Sequence, residues 1–202
     1  MNLQASTELD QKKVIIVMGD SLSAGYGMDE LDGWVSLLGE KVDSEANDFR
    51  VVNSSVSGAT TMAGLQRLPA TLEQHQPAVV IIELGGNDGL QGKPLKYIKA
   101  KLTQLISLSK GSGAKVVLLG VRIPPNLGPA YTEPFFKQYA QLAQEYDLAY
   151  VPFLLEGIAN KPELMQLDGI HPTAKAQGMI LDNVWPVLES VLEPVLELKL
   201  DK

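Results

Sequence analysis

The chain has 202 residues, 45% hydrophobic and 20% charged, so it carries enough apolar material for one sizeable core. Its 17 basic and 24 acidic side chains leave a net charge of −7, which repels phosphate backbones and argues against a nucleic-acid partner. The absence of cysteine excludes disulfides, thiolate catalysis and cysteine zinc sites, and no apolar run reaches the ~18 residues of a membrane span.

In chain order, the first thirteen residues, MNLQASTELDQKK, lack the apolar core of a secretion signal. Met1 suits either a native start, which would mean a cytoplasmic protein, or a chain whose signal has been removed. Short β-branched runs follow at Val14–Met18, Arg50–Asn53, Ala78–Leu84 and Lys115–Leu119, with a weaker fifth at Leu148–Val151. The third and fourth are almost continuously apolar, as strands buried on both faces of a parallel sheet are. Helical periodicity fills the gaps, over Trp34–Lys41, Met62–Gln74, Leu95–Ser109, Phe135–Tyr146 and Thr173–Leu192. Pro186 and Pro194 are expected to kink or end the last helix. Gly120–Pro134, with four prolines and two glycines, is expected to be a loop of restricted shape. Trp34 and Trp185 are expected in the core. Strands alternating with helices predict a doubly wound α/β sandwich, and with no linker or repeat the whole of 1–202 is read as one domain with its core over about 14–190.

Chemistry-bearing residues fall at the strand ends. Of the two histidines, His75 ends an amphipathic helix and is expected to be exposed. His171 lies in Asp168-Gly169-Ile170-His171-Pro172, where a glycine turn can bring the Asp168 carboxylate to the imidazole Nδ1. That pairing would set the tautomer and stabilise an imidazolium. The elbow G-x-S-x-G is absent, and the candidate nucleophile is instead Ser21, in Gly19-Asp20-Ser21-Leu22-Ser23 after the first strand. The second strand ends near Ser57-Gly58-Ala59-Thr60 and the third near Gly85-Gly86-Asn87-Asp88. The N–H groups of Ser21 and Gly58 and the Asn87 amide could together hold an oxyanion. Singly, each feature also suits a turn or a helix cap: Ser21 as a cap, Gly58 as a turn residue, Asn87 as the cap of the helix from 95. Their convergence favours acyl transfer. Asp20 and Asp88 are expected to hydrogen-bond behind these groups.

The blocks GDSLS at Gly19–Ser23, Gly58 in NSSVSGATT, Gly85-Gly86-Asn87-Asp88 and Asp168–Pro172 resemble, in order, those of the SGNH (GDSL) hydrolase superfamily. LGGNDGLQG at 84–92, RIPPNLGPAYTEPF at 122–135 and MQLDGIHP at 165–172 are most similar to the bacterial thioesterase I/protease I/lysophospholipase L1 and arylesterase group. The likeness covers about 14–190. It implies a three-layer α/β/α, flavodoxin-like fold with parallel sheet order 2-1-3-4-5. It implies a triad of Ser21, Asp168 and His171, an oxyanion hole of Ser21, Gly58 and Asn87, and no metal or cofactor. It also implies hydrolysis of small-molecule acyl thioesters, lysophospholipids and aryl or alkyl esters, by a protein exported to the periplasm. A monomer without stable membrane insertion is expected. Leu90, Ile123, Pro124 and Leu127 are expected to bind the acyl chain. The alternatives are a carbohydrate acetyl-esterase with the same catalytic residues, or a non-catalytic binding module.

Overall fold

A computed structural model describes residues 12–197. The N-terminal stretch discussed above lies almost wholly outside them. The chain forms β1 (Lys13–Gly19), α1 (Trp34–Glu45), β2 (Phe49–Asn53), α2 (Thr61–His75) and β3 (Val79–Glu83). There follow α3 (Gly86–Leu90), α4 (Leu95–Gly111), β4 (Lys115–Leu119), α5 (Pro129–Tyr146), β5 (Ala149–Val151) and α6 (Gln177–Glu197), with short 3-10 turns between some of them. The five strands pair in parallel in the order β2-β1-β3-β4-β5.

Side-chain alternation along the strands divides the core in two. Ile15, Val17, Val79 and Ile81 pack with Trp34, Leu38, Val42, Val184 and Leu188, so α1 and α6 cover one face. Val14, Ile16, Met18, Val80 and Ile82 pack with Leu68, Ile98, Leu102, Phe135 and Tyr139, so α2, α4 and α5 cover the other. This is the three-layer α/β/α sandwich. Residues 79–82 are completely buried, which explains their unbroken apolar run. Each such side chain contributes roughly 1.5–3 kcal/mol by leaving water. Both tryptophans are buried, Trp34 wholly.

The structure corrects three expectations. First, the proline-rich loop after β4 ends at Gly128 rather than running to Pro134, and α5 starts at Pro129. Proline suits the first helical position, where its missing N–H has no partner to lose. Pro134 falls early enough that the carbonyl it deprives, on the exposed Ala130, faces water. Second, neither proline ends α6, which runs through Pro186 and Pro194 to Glu197. Ile180, Val184, Trp185, Leu188 and Leu192 are buried along it, and their burial outweighs the ~3 kcal/mol that a helical proline costs. Third, His75 is half-buried rather than exposed; it closes α2 at the sheet edge opposite the carboxyl ends of the strands.

Candidate active site

The carboxyl ends of β1, β2, β3 and β5 feed the loops that converge here. Strand β1 ends at Gly19, and Ser21 lies in the turn that follows. A Cβ on Gly19 would lie 2.7 Å from Ser23 Oγ and 2.9 Å from Glu83 Oε2, so only glycine lets the chain turn this tightly. Beneath the turn, the buried Glu83 at the end of β3 accepts from Asp20 N–H at 3.2 Å and from Ser23 Oγ at 2.8 Å through one carboxylate oxygen. Its other oxygen has no hydrogen-bond partner among the described residues. Sequence reasoning missed Glu83, because a single acid at the end of an apolar strand carries no spacing signal.

The loop 164–173 folds back on itself. Thr173 N–H donates to Leu164 O at 2.8 Å and Gln166 N–H to His171 O at 2.7 Å. Gly169, at φ +67°, makes the turn between them. The Asp168 carboxylate accepts from Ile170 N–H at 2.9 Å and from His171 N–H at 3.0 Å through Oδ1, while Oδ2 lies 2.6 Å from His171 Nδ1. His171 Nε2 lies 2.8 Å from Ser21 Oγ. Partial burial pushes the Asp168 carboxyl upward, but the donors from residues 170 and 171 outweigh it and hold the group down at about 2. The ionised carboxylate can only accept, so Nδ1 carries the proton and Nε2 is left to accept from the serine hydroxyl. The Tyr26 ring lies over that of His171, with centroids 4.4 Å apart.

Asn87 sits in the one-turn helix α3. Gly85 enters that helix at φ +113°, and a Cβ there would come within 2.3 Å of Tyr139 Oη. The Asn87 Nδ2 atom donates to Asp20 Oδ2 and to Ala59 O, each at 3.1 Å. These bonds bring the Ser21 turn, the 57–60 turn and α3 together. The N–H groups of Ser21 and Gly58 donate to no group among the described residues, and Gly58 holds φ +77° in an exposed turn. Asp20 is almost fully buried, and the same burial raises its carboxyl to about 6 against the pull of Leu22 N–H, Glu83, His171 and Asn87. Burial, reinforced by the Asp20 charge, pushes Glu83 well above the ordinary carboxylate range. Asp88 turns away from this cluster and accepts from Thr61 N–H at 2.7 Å, Thr61 Oγ1 at 3.1 Å and Lys93 Nζ at 3.2 Å.

A cavity of about 580 Å³ opens beside Ser21 and His171, within the usual range for small-ligand sites. Leu90, Ile123 and Pro124 line it, whereas Leu127 does not and is 40% exposed. Further lining comes from Met165 and Ile170, within the block that holds His171, and from Phe153 and Leu155, on a segment where no motif marked them. Arg122 also lines it, with its guanidinium 3.6 Å from the centroid of the Phe136 ring and 5.4 Å from that of Phe153. Those partners are far apart in sequence and become neighbours only through the fold. Among the described residues no group of acids and histidines is arranged to hold a metal ion, and no helix is long and apolar enough to cross a membrane.

The family model of the GDSL-like lipase/acylhydrolase family matches residues 17–178. The chain is 46% identical over 186 residues to the esterase TesA of Pseudomonas aeruginosa, covering 92% of each. It is 45% identical over 168 residues to the thioesterase 1/protease 1/lysophospholipase L1 of Escherichia coli K12, covering 83% of this chain and 79% of that protein. A solved structure of TesA superimposes with a TM-score of 0.86 at 46% identity, covering 89% of this chain and 99% of the other. With the family model matching residues 17–178 and these relatives covering 83–92% of the chain, the chain belongs to the GDSL-like lipase/acylhydrolase family and is an SGNH-type ester and thioester hydrolase.

Proposed function

We propose that Ser21 is the nucleophile of this hydrolase, His171 its general base and acid, and Asp168 the group that orients His171. The observation that carries this reading is the unbroken relay from Asp168 Oδ2 through His171 to Ser21 Oγ, at 2.6 and 2.8 Å. His171 Nε2 takes the hydroxyl proton as Oγ attacks the acyl carbonyl carbon. The Ser21 and Gly58 N–H groups, free of other partners among the described residues, receive the developing oxyanion. Asn87 joins them by giving up one of its two acceptors. His171 then protonates the departing alcohol or thiol. Water, deprotonated by the same Nε2, attacks the acyl carbon; the Oγ–acyl bond then breaks as Nε2 returns that proton to Ser21 Oγ, and the acid is released.

The cavity beside Ser21 takes the acyl chain against Leu90, Ile123 and Pro124, with Phe153, Leu155 and Ile170 completing its apolar wall. Such a wall favours fatty acyl and aryl groups over an acetylated sugar. The substrates are small-molecule carboxylic esters and acyl thioesters, lysophospholipids among them. A single chain supplies all three relay residues, so a monomer is a sufficient catalytic unit.

The test is a series of p-nitrophenyl esters from acetate to decanoate and a matched acyl-CoA series, with labelling by a fluorophosphonate. The wild type is labelled on Ser21 and prefers chains longer than acetyl. Ser21→Ala and His171→Ala lose turnover by several orders of magnitude while keeping the folded spectrum. Near-wild-type hydrolysis by either variant overturns the assignment, and a sharp optimum at acetate favours the acetyl-esterase reading.

A further inference from the structure

Ser21 and His171 come from loops 150 residues apart, after β1 and β5. Strand β5 is at the sheet edge, with β3 and β4 between it and β1. The imidazole must therefore be carried across the carboxyl edge of the sheet and held there. In the resting enzyme the 2.8 Å bond between Nε2 and Ser21 Oγ is one tie between the two loops. A second tie, which the motifs do not announce, runs through Gln166. Its Nε2 donates to Tyr26 O at 2.7 Å and to Pro172 O at 3.0 Å. Both amide protons are thus spent, one on the nucleophile loop and one on the histidine loop. Its amide oxygen lies where a Cβ on Gly27 would stand, at 2.4 Å. The Gln166 N–H donates to the carbonyl of His171 itself, and the Tyr26 ring lies over the imidazole.

The two ties do not persist through the same steps. Once Ser21 is acylated, its Oγ is an ester oxygen without a proton. His171, with its proton held on Nδ1 by Asp168, then presents a bare Nε2 to a group that also only accepts, so no hydrogen bond joins them. The Gln166 bonds involve neither atom and remain. We propose that Gln166 is a positioning residue that keeps His171 over the acyl-enzyme while water is activated, so that its loss slows deacylation more than acylation. This rests on the reading of Ser21 and His171 given above.

The variant is Gln166→Glu, which keeps the side chain's length and shape but replaces both donors with an acceptor facing two carbonyls. Gly27→Ala disturbs the same contact from the other loop. The measurements are the acylation rate, from stopped-flow release of p-nitrophenol, and steady-state turnover on p-nitrophenyl butyrate. Mass spectrometry of the quenched enzyme follows the acyl-enzyme, and thermal melting checks folding. The expected result is a loss in turnover of about tenfold to a hundredfold, a much smaller loss in acylation, and a butyrylated Ser21 that accumulates. Turnover near wild type with no accumulation overturns the proposal and leaves Ser21 as nucleophile. Equal losses in both steps overturn it as well, because the clamp would then serve assembly of the whole site. If Gln166→Glu does not fold, Gly27→Ala is read by the same criteria. Failure of the underlying reading shows separately, as hydrolysis by Ser21→Ala.

Discussion

Asp20 lies next to Ser21, is 2% exposed, and has its carboxyl raised to about 6 from 3.8. Replacing it with asparagine removes the charge and keeps one of the two oxygens, so one of the bonds from Leu22 N–H to Oδ1 and from Asn87 Nδ2 to Oδ2 is lost at every pH, while only the charge contributes to the pH-dependent difference. The sign follows from which state holds the proton. Below pH 3.8 Asp20 is neutral in both the folded and unfolded chain, and the asparagine mimics it. As pH rises through 6, the unfolded carboxyl has already ionised, and the folded one must ionise inside the protein, at the cost that burial imposes. Stability associated with Asp20 is therefore fully present below pH 3.8 and is lost as pH rises through about 6. A shift of about two units corresponds to ~3 kcal/mol. Urea unfolding of wild type and Asp20→Asn from about pH 4 to about pH 8 should show the difference moving by ~3 kcal/mol in favour of the variant, complete by about pH 7. The charge of Asp20 also raises Glu83, so the same pair compared in a Glu83→Gln background isolates the Asp20 contribution. A difference that does not vary with pH, or that moves in favour of wild type as pH rises, refutes the reasoning. It would mean that the donors around Asp20 more than offset its desolvation.

Three further outcomes can be measured. Asn87→Ala should lower kcat by about 10²–10³ with little change in KM; a rise in KM alone on p-nitrophenyl esters would make Asn87 a binding residue instead. Ile123→Trp, which fills part of the cavity beside Ser21, should move the preferred p-nitrophenyl ester toward shorter chains, and an unchanged profile would place the acyl chain elsewhere. Gly120→Ala should destabilise the fold by about 1–3 kcal/mol in urea unfolding, because its Cβ would stand 2.1 Å from the backbone oxygen of Pro152; a loss below about half a kcal/mol would show that the crossing between β4 and β5 yields easily.

The strands were legible because their signal is local. Val79–Ile82 is buried on both faces and so reads as apolar throughout, and its sheet neighbours differ only in degree. The blocks that hold the candidate site residues were legible for a different reason. Ser21, Asn87 and His171 each follow a strand within a short glycine-containing block, and chain turns of that kind leave a compositional trace. What could not be read depends on distance in sequence. Nothing near residue 122 announces that Phe136 and Phe153 flank Arg122. Nothing near residue 83 shows that a carboxylate supports the turn before Ser23. The prolines misled where tertiary burial outweighed local preference, as along α6.

The strand order explains why the site divides into two parts held by different means. Strand β1 lies between β2 and β3, and the chain winds outward from it in both directions. Open α/β sheets bind ligands at such a reversal. Ser21, Gly58 and Asn87 follow these three adjacent strands, so sheet hydrogen bonding sets their spacing directly. The bond from Asn87 to Asp20 spans one strand spacing, from β3 to β1, and its bond to Ala59 spans two, from β3 to β2. In the proposed mechanism these are the groups that meet the oxyanion, and they follow strands paired side by side in the sheet. In that mechanism His171 accepts a proton from the serine, releases it to a leaving group and then accepts one from water, so its contact with Ser21 forms and breaks within each cycle. A loop returning from the sheet edge, tied to the nucleophile loop at a point away from the reacting atoms, permits that exchange without letting the imidazole leave.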